Sequence, residues 1–410
     1  MSKKICLLLI FFLITLIPSG CWNSRELDTL SFVMALGIDK DEAENKITLT
    51  AQILKPAEVK APTGGGMSGM GGSGSTKGVW VATRTGKTVF DALRNFTFEA
   101  DRKLFLSFTR VVVIGEEAAR AGVAPLMDIL QRDHEFRRNI WVLVAKGKAK
   151  DVLEAEHDQE KIPARAIEKL IKVSAANSMV PMVNLKDFLA MMAGKSRDPF
   201  AAAIEAFEKR IDEGDKDQEG GEKKEKRVKR VKTGGTAVFK KDRLAGWLDN
   251  TETRGLLWIL GKVRSGIIVI PAPEGSREQE ISLEIIRAES KLKPKIEDGK
   301  IYMTIEIKEE GNLGEQMAPG DPAKPEKFKL LEEKQAKVIE REVRAALEKA
   351  QQEWGVDVFG FGEAVHQAYP KEWEILKKRW DEEFPMVEVE IKVEAKLSRL
   401  GLITKHVMSE

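Results

Sequence analysis

Apolar and polar residues alternate most regularly near the C-terminus. Val387, Val389, Ile391, Val393, Ala395 and Leu397 fall on one side of an extended chain, and Glu388, Glu390, Lys392, Glu394 and Lys396 on the other. That two-residue period predicts a strand with one wet face, as in an antiparallel sheet. Ile301, Met303, Ile305 and Ile307 repeat the pattern against Tyr302, Thr304, Glu306 and Lys308. Between these runs the period lengthens: Ile339, Val343, Leu347, Ala350 and Trp354 recur at helical spacing and predict one long amphipathic helix. Residues 276–410 are therefore expected to form an α+β domain with helices on one face of a sheet.

Upstream, Leu30 to Ile38 and Lys46 to Leu54 predict a strand pair, followed by a strand at Val79-Trp80-Val81 and a helix from Thr88 to Phe98. Arg110 to Ile114 and Ile140 to Val144 are apolar throughout, as strands buried on both faces are. With a helical stretch from Glu116 to Asp133 between them, residues 21–160 predict an α/β domain. A middle α/β domain, 161–275, carries helical patterns at Ala164 to Val173 and Leu185 to Met192, then Thr236 to Phe239, Asp242 to Trp247, a short helix around Leu256 to Leu260 and a strand at Ile267 to Ile270. The expected fold is mixed, α/β and α+β, in three domains, each a mixed or antiparallel sheet with packed helices. Two segments stand apart. The Gly/Ser-rich 62–78 predicts a flexible loop, and 208–232, acidic first and basic afterwards, predicts a flexible charged insert.

The first residues change the picture of where the protein works. Lys3 and Lys4 precede an apolar core from Ile5 to Ile17, and Pro18-Ser19-Gly20 leads into Cys21. The core stops at a proline well short of the roughly twenty apolar residues that span a bilayer, so 1–20 is expected to be a signal peptide. Ser19-Gly20-Cys21 resembles the lipobox of bacterial lipoproteins, with Pro18 where that box usually has Leu. Cys21 would then carry a diacylglyceryl group, whose two chains suffice for stable membrane anchoring. With Cys6 removed, Cys21 is the only cysteine left, so no internal disulfide is possible and a hydrophobic core must hold the chain. The formal charge of +2 is accounted for by Lys3 and Lys4, and elsewhere the charges interleave, which argues against nucleic acid as a partner.

Candidate chemistry is sparse. Gly64, Gly66 and Gly69 satisfy G-x-G-x-x-G only because their whole neighbourhood is glycine. Thr85-Gly86-Lys87-Thr88 lies where a phosphate loop would end, but Val81 stands where that loop needs glycine; a strand-to-helix turn capped near Thr88 is expected instead, and no nucleotide. Among His134, His157, His366 and His406 there is no H-E-x-x-H, and the chain has no G-x-S-x-G. No catalytic residue, metal site or cofactor is expected. Asp357-Val358-Phe359-Gly360-Phe361-Gly362-Glu363 is both aromatic and glycine-rich. Two readings stand for it: a structural corner with Phe359 and Phe361 in the core, or a partner-binding surface that includes Asp357, Phe359, Gly360, Phe361 and Gly362.

Several segments, in this order, resemble the Ger(x)C family, the lipoprotein subunits of nutrient germinant receptors in spore-forming bacteria. They are Cys21 to Leu27, with Asn23 where Asp is expected; Ala35 to Lys40; Arg110 to Ala119; Arg132 to Arg137; Gly235 to Phe239; Thr253 to Trp258; Asp357 to Glu363; Tyr369-Pro370 with Trp373; and Trp380 with Phe384-Pro385. The resemblance implies three α/β-type domains, an anchor in the inner spore membrane, two integral-membrane receptor subunits as partners, and no catalytic activity. The alternative, a substrate-binding lipoprotein of a transporter, would share the anchor but is expected to have two similar lobes.

Overall fold

A computed structural model describes residues 26–41, 44–55, 78–174, 176–213, 224–272, 279–317 and 325–399, with Lys4 alone before them; side chains of 211–226 and of Pro325 are outside the description. Cys21, the signal segment and residues 62–77 of the glycine-rich loop lie outside the described residues.

Strands β1 (Leu30–Asp41), β2 (Lys46–Leu54) and β3 (Val79–Gly86) form an antiparallel run at one side of a nine-stranded sheet. β1 also pairs in parallel with the short β4 (Lys103–Phe105) and with β5 (Val111–Ile114), which continues in parallel to β6 (Trp141–Ala145) and β7 (Phe200–Glu213). The antiparallel β8 (Lys224–Lys240) and β9 (Arg243–Leu248) complete it. The sequence expectation for the central strands holds: all of β5 is buried, because helices cover both faces. Helices α1 (Val89–Asn95), α2 (Glu116–Ala121) and α3 (Ala124–Arg132) pack with Val112, Ile114, Val142 and Val144; α4 (Ala149–Glu154) and α5 (Pro163–Ser174) pack with Val111, Val113 and Leu143 on the opposite face. One sheet thus crosses the boundary expected at 160/161, through the pairing of Leu143 with Ala202.

The charged segment 208–232 is not a loose insert where it is described. β7 and β8 pair continuously out to Glu213 opposite Lys224, and only 214–223 are outside the description. The acidic-then-basic order that suggested a solvated tract is what an antiparallel ribbon needs: it sets Glu208 against Arg227 at 3.5 Å and Glu205 against Lys232 at 3.2 Å. Thr88 caps α1 by accepting from the Asp91 amide at 3.1 Å, which agrees with the turn expected there in place of a phosphate loop.

The second sheet holds β10 (Gly266–Pro271), β11 (Glu280–Glu297), β12 (Lys300–Gln316) and β13 (Glu388–Arg399) in that order. The first three are antiparallel. β13 instead runs parallel to β12, with Ile391 beside Ile305 and Val393 beside Ile307, which corrects the antiparallel expectation for the last strand. The parallel pairing is made possible by the helical crossover between β12 and β13, α8 (Pro325–Leu347), α9 (Phe361–Ala368), α10 (Pro370–Leu376) and α11 (Trp380–Glu383), which carries the chain back to the starting end of the sheet; α6 (Leu185–Ala193) and α7 (Asn250–Ile259) precede this sheet. A single hydrophobic cluster runs from Leu36 and Val142 in the first sheet through Trp258 and Val343 to Ile305 in the second.

Candidate functional site

The segment from Asp357 to Gly362 joins the two parts of the molecule. α8 gives way to one π-helical turn, Glu348–Glu353, and the chain then passes through Asp357 into α9. The Asp357 carboxylate gathers the amides that begin that helix: Oδ1 accepts from Gly360 at 2.8 Å and Phe361 at 3.1 Å, and Oδ2 from Gly362 at 2.7 Å. The Trp380 indole donates to Oδ2 at 3.0 Å. Burial pushes the Asp357 carboxyl up, and these four donors pull it back toward the ionised form. Both oxygens are fully engaged, so Asp357 is spent on structure and has no free position for proton transfer.

Around it, Trp380 meets Trp373 edge-on at 5.2 Å, His366 stacks on Trp373 at 5.7 Å, and Phe359, Phe361 and Phe384 pack together at 5.5 to 6.4 Å. Gly362 fits because a Cβ there would stand 2.8 Å from the Ser196 carbonyl oxygen and 2.8 Å from the Trp373 ring. Phe361 is 0 % exposed and Phe359 1 %. At this corner both aromatic side chains thus lie in the core.

The other half of the joint was not visible as a motif. Asp198, just before β7, accepts from the amides of Lys241 at 2.9 Å and Asp357 at 3.2 Å, and its own amide donates to the Asp357 carbonyl at 2.8 Å. Burial pushes the Asp198 carboxyl up to about 6; the two amides oppose this, and the Asp357 and Asp381 charges add to it. Arg197 donates through Nε to the Val358 carbonyl at 3.1 Å and lies over the Phe200 ring at 5.1 Å.

A second buried polar contact locks α7 to α8. Arg254 and Glu342 form a two-pronged ion pair, with Nε 2.8 Å from Oε2 and Nη2 on Oε1, and Arg254 also donates to the Ile267 carbonyl at 3.0 Å. The Trp258 indole donates to Glu342 Oε2 at 2.9 Å, and Thr253 Oγ1 lies 2.8 Å from Thr236 Oγ1. Gly255 lets the helices touch, since a Cβ would come 2.0 Å from the Glu342 carbonyl oxygen. Near the N-terminus Asp39 caps α4, accepting from the amides of Ala149 at 2.8 Å and Lys150 at 3.0 Å. Segments 35–40, 253–258 and 357–363 thus each place a polar side chain that fixes one element against another.

Among the described residues there are cavities open to solvent. One of about 400 Å³ is lined by Trp141, Asn184, Asp187, Leu257, Lys262 and Arg264, and one of about 440 Å³ by Lys146, Glu205, Lys232, Asp249 and Asn250. Among the described residues, no group of three or more His, Cys, Asp or Glu side chains is arranged to hold a metal ion, and no helix is long and apolar enough to cross a membrane.

Comparison with known proteins covers nearly the whole chain. Residues 23–206 match the family described as "Spore germination protein N-terminal domain", and residues 234–401 match "Spore germination B3/ GerAC like, C-terminal". Spore germination protein KC of Bacillus subtilis (strain 168) is 29% identical over 411 residues, covering 98% of this chain and 97% of that protein. Spore germination protein B3 of the same organism is 25% identical over 400 residues, with 97% and 98% covered. The crystal structure of the GerBC protein superposes with a TM-score of 0.54 over 92% of this chain and 99% of that one, at 21% identity, a likeness of fold.

Proposed function

The chain belongs to the Ger(x)C family of spore germination proteins, and from that membership we propose that it is the lipoprotein subunit of a nutrient germinant receptor. In this reading Cys21 is diacylated after removal of residues 1–20, the folded part sits on the extracytoplasmic face of the inner spore membrane, and it assembles there with two integral-membrane receptor subunits without performing catalysis. The observation that carries the reading is the ordered match of both halves of the chain, 23–206 and 234–401, to spore germination families. The buried polar groups support it, because Asp39, Asp357, Arg254 and Glu342 are all engaged in holding elements together. Confinement to one membrane by the anchor raises the effective concentration of the subunits for each other, so small contacts suffice for assembly.

The experiment is genetic. Spores lacking this chain, in a strain without a paralogous receptor, are expected to lose the response to one class of nutrient while still germinating with receptor-independent triggers. Normal germination with every nutrient contradicts the assignment. Cys21→Ala is expected to leave the protein unlabelled by radioactive fatty acid and lost from the membrane fraction. Equal retention, with no label in the wild type, contradicts the anchor.

A further inference from the structure

The edge that carries Leu27 and the start of β1 is unusually apolar for a surface. β1 starts at Leu30 and pairs there with β4, setting Phe32 beside Phe105. The Phe32 and Phe105 rings are 6.1 Å apart, and Phe108 joins both, at 5.1 Å from Phe32 and 5.9 Å from Phe105. Phe108 is 43% exposed, Phe98, earlier in the same 96–108 segment, is 84% exposed, and Leu27, in the turn that leads into β1, is 71% exposed. Scattered exposed apolar residues need no explanation, but an aromatic trio with two further exposed apolar residues flanking it in sequence does. The exposed charges of the same segments are mixed, Arg102 and Lys103 standing with Glu26, Asp28, Asp101 and Glu99, the last of which pairs with Arg84.

A lipid anchor at Cys21 would limit how far this edge can stand from a membrane. From Cys21 to Leu27 a fully extended chain reaches at most about 22 Å. An acyl group on Cys21 would therefore hold Leu27 within about 22 Å of the headgroups. We infer that this edge, formed by Leu27, the start of β1 and residues 96–108, lies on the bilayer surface, with Phe98, Phe108 and Leu27 in the interfacial region. The inference rests on the lipid anchor proposed above and adds an orientation to it: the anchor holds the protein to the membrane, and the aromatic edge fixes which side faces it.

The test uses the full lipidated chain in vesicles of phosphatidylethanolamine and phosphatidylglycerol. Because Cys6 is removed with the signal and Cys21 is blocked by lipid, Phe98→Cys gives a single site for a nitroxide spin label, and Lys300→Cys, at the exposed turn between β11 and β12, gives the control. The label at 98 is expected to collide with dissolved oxygen more than with a water-soluble nickel chelate, with a ratio several-fold above that at 300. A label at 98 as open to the chelate as the one at 300 overturns the inference. So does a label shielded from both, which would mean that protein covers the edge. Failure of the anchor itself looks different: the unmutated chain would then take up label at Cys21 and would not stay with the vesicles.

Discussion

Helix α8 buries polar side chains at two places on one face, and the two are treated in opposite ways. At Glu342 the carboxylate meets the Arg254 guanidinium and the Trp258 indole, and every polar atom of the contact has a partner. Two turns earlier, Gln335 faces Glu309 of β12; both are buried, and among the described residues none of their four side-chain oxygen and nitrogen atoms has a partner in hydrogen-bond geometry. Burial pushes the Glu309 carboxyl up to about 8, and the Glu310 charge adds to the rise. The first site is a lock that works with its charges in place. The second is comfortable only when neutral, so near pH 7 Glu309 is mostly protonated.

The largest effect is expected from breaking the lock. Arg254→Ala leaves Glu342 as an uncompensated buried charge and should cost about 3–5 kcal/mol in chemical denaturation, whereas the pair Arg254→Met with Glu342→Leu should recover most of that. If the single and double variants are equally unstable, the pairing is not what matters there. Next, Asp357→Ala strands three backbone amides and an indole and should cost about 3 kcal/mol, with partial loss of the near-ultraviolet signal from Trp373 and Trp380. An unchanged midpoint would show that water replaces the carboxylate at no cost.

Glu309 should behave with the opposite sign. Its folded value of about 8 lies above its ordinary 4.5, so its stabilising contribution is complete below pH 4.5 and is lost as pH rises through about 8. Glu309→Gln removes the cost of carrying this group and is expected to stabilise by on the order of 3 kcal/mol at pH 8, with no gain below pH 4.5. A loss of stability at pH 8 would mean that the carboxylate is paired. The smallest effect is expected on the exposed ribbon: Lys232→Ala, which removes a contact to Glu205, should change stability by about 0.5 kcal/mol or less, and less still in high salt.

What was legible in the sequence follows from which forces leave a local trace. Alternation located β2, β12 and β13 and helical spacing located α8, because burying one face imposes a period, while unbroken apolar runs located β5 and β6, which are buried on both faces. Alternation fixes which side of β13 is wet, not the direction of its neighbour, so the parallel pairing with β12 left no mark. β11 went unrecognised since its second half is exposed on alternate residues with charge around it, and Pro294 argues against a paired strand. The segment Asp357–Gly362 stood out by composition, but its role depends on Asp198 and Trp380, and Arg254 depends on Glu342. Those partners are distant along the chain, and no spacing rule connects them.

The proposed receptor role is tested most directly by affinity purification of the tagged chain from detergent-solubilised spore membranes, with quantitative identification of what comes with it. The account predicts two integral-membrane subunits in fixed proportion to this chain, lost from the complex when Cys21→Ala abolishes anchoring. Recovery of the chain alone, or with the permease and ATPase of a transporter, would contradict it.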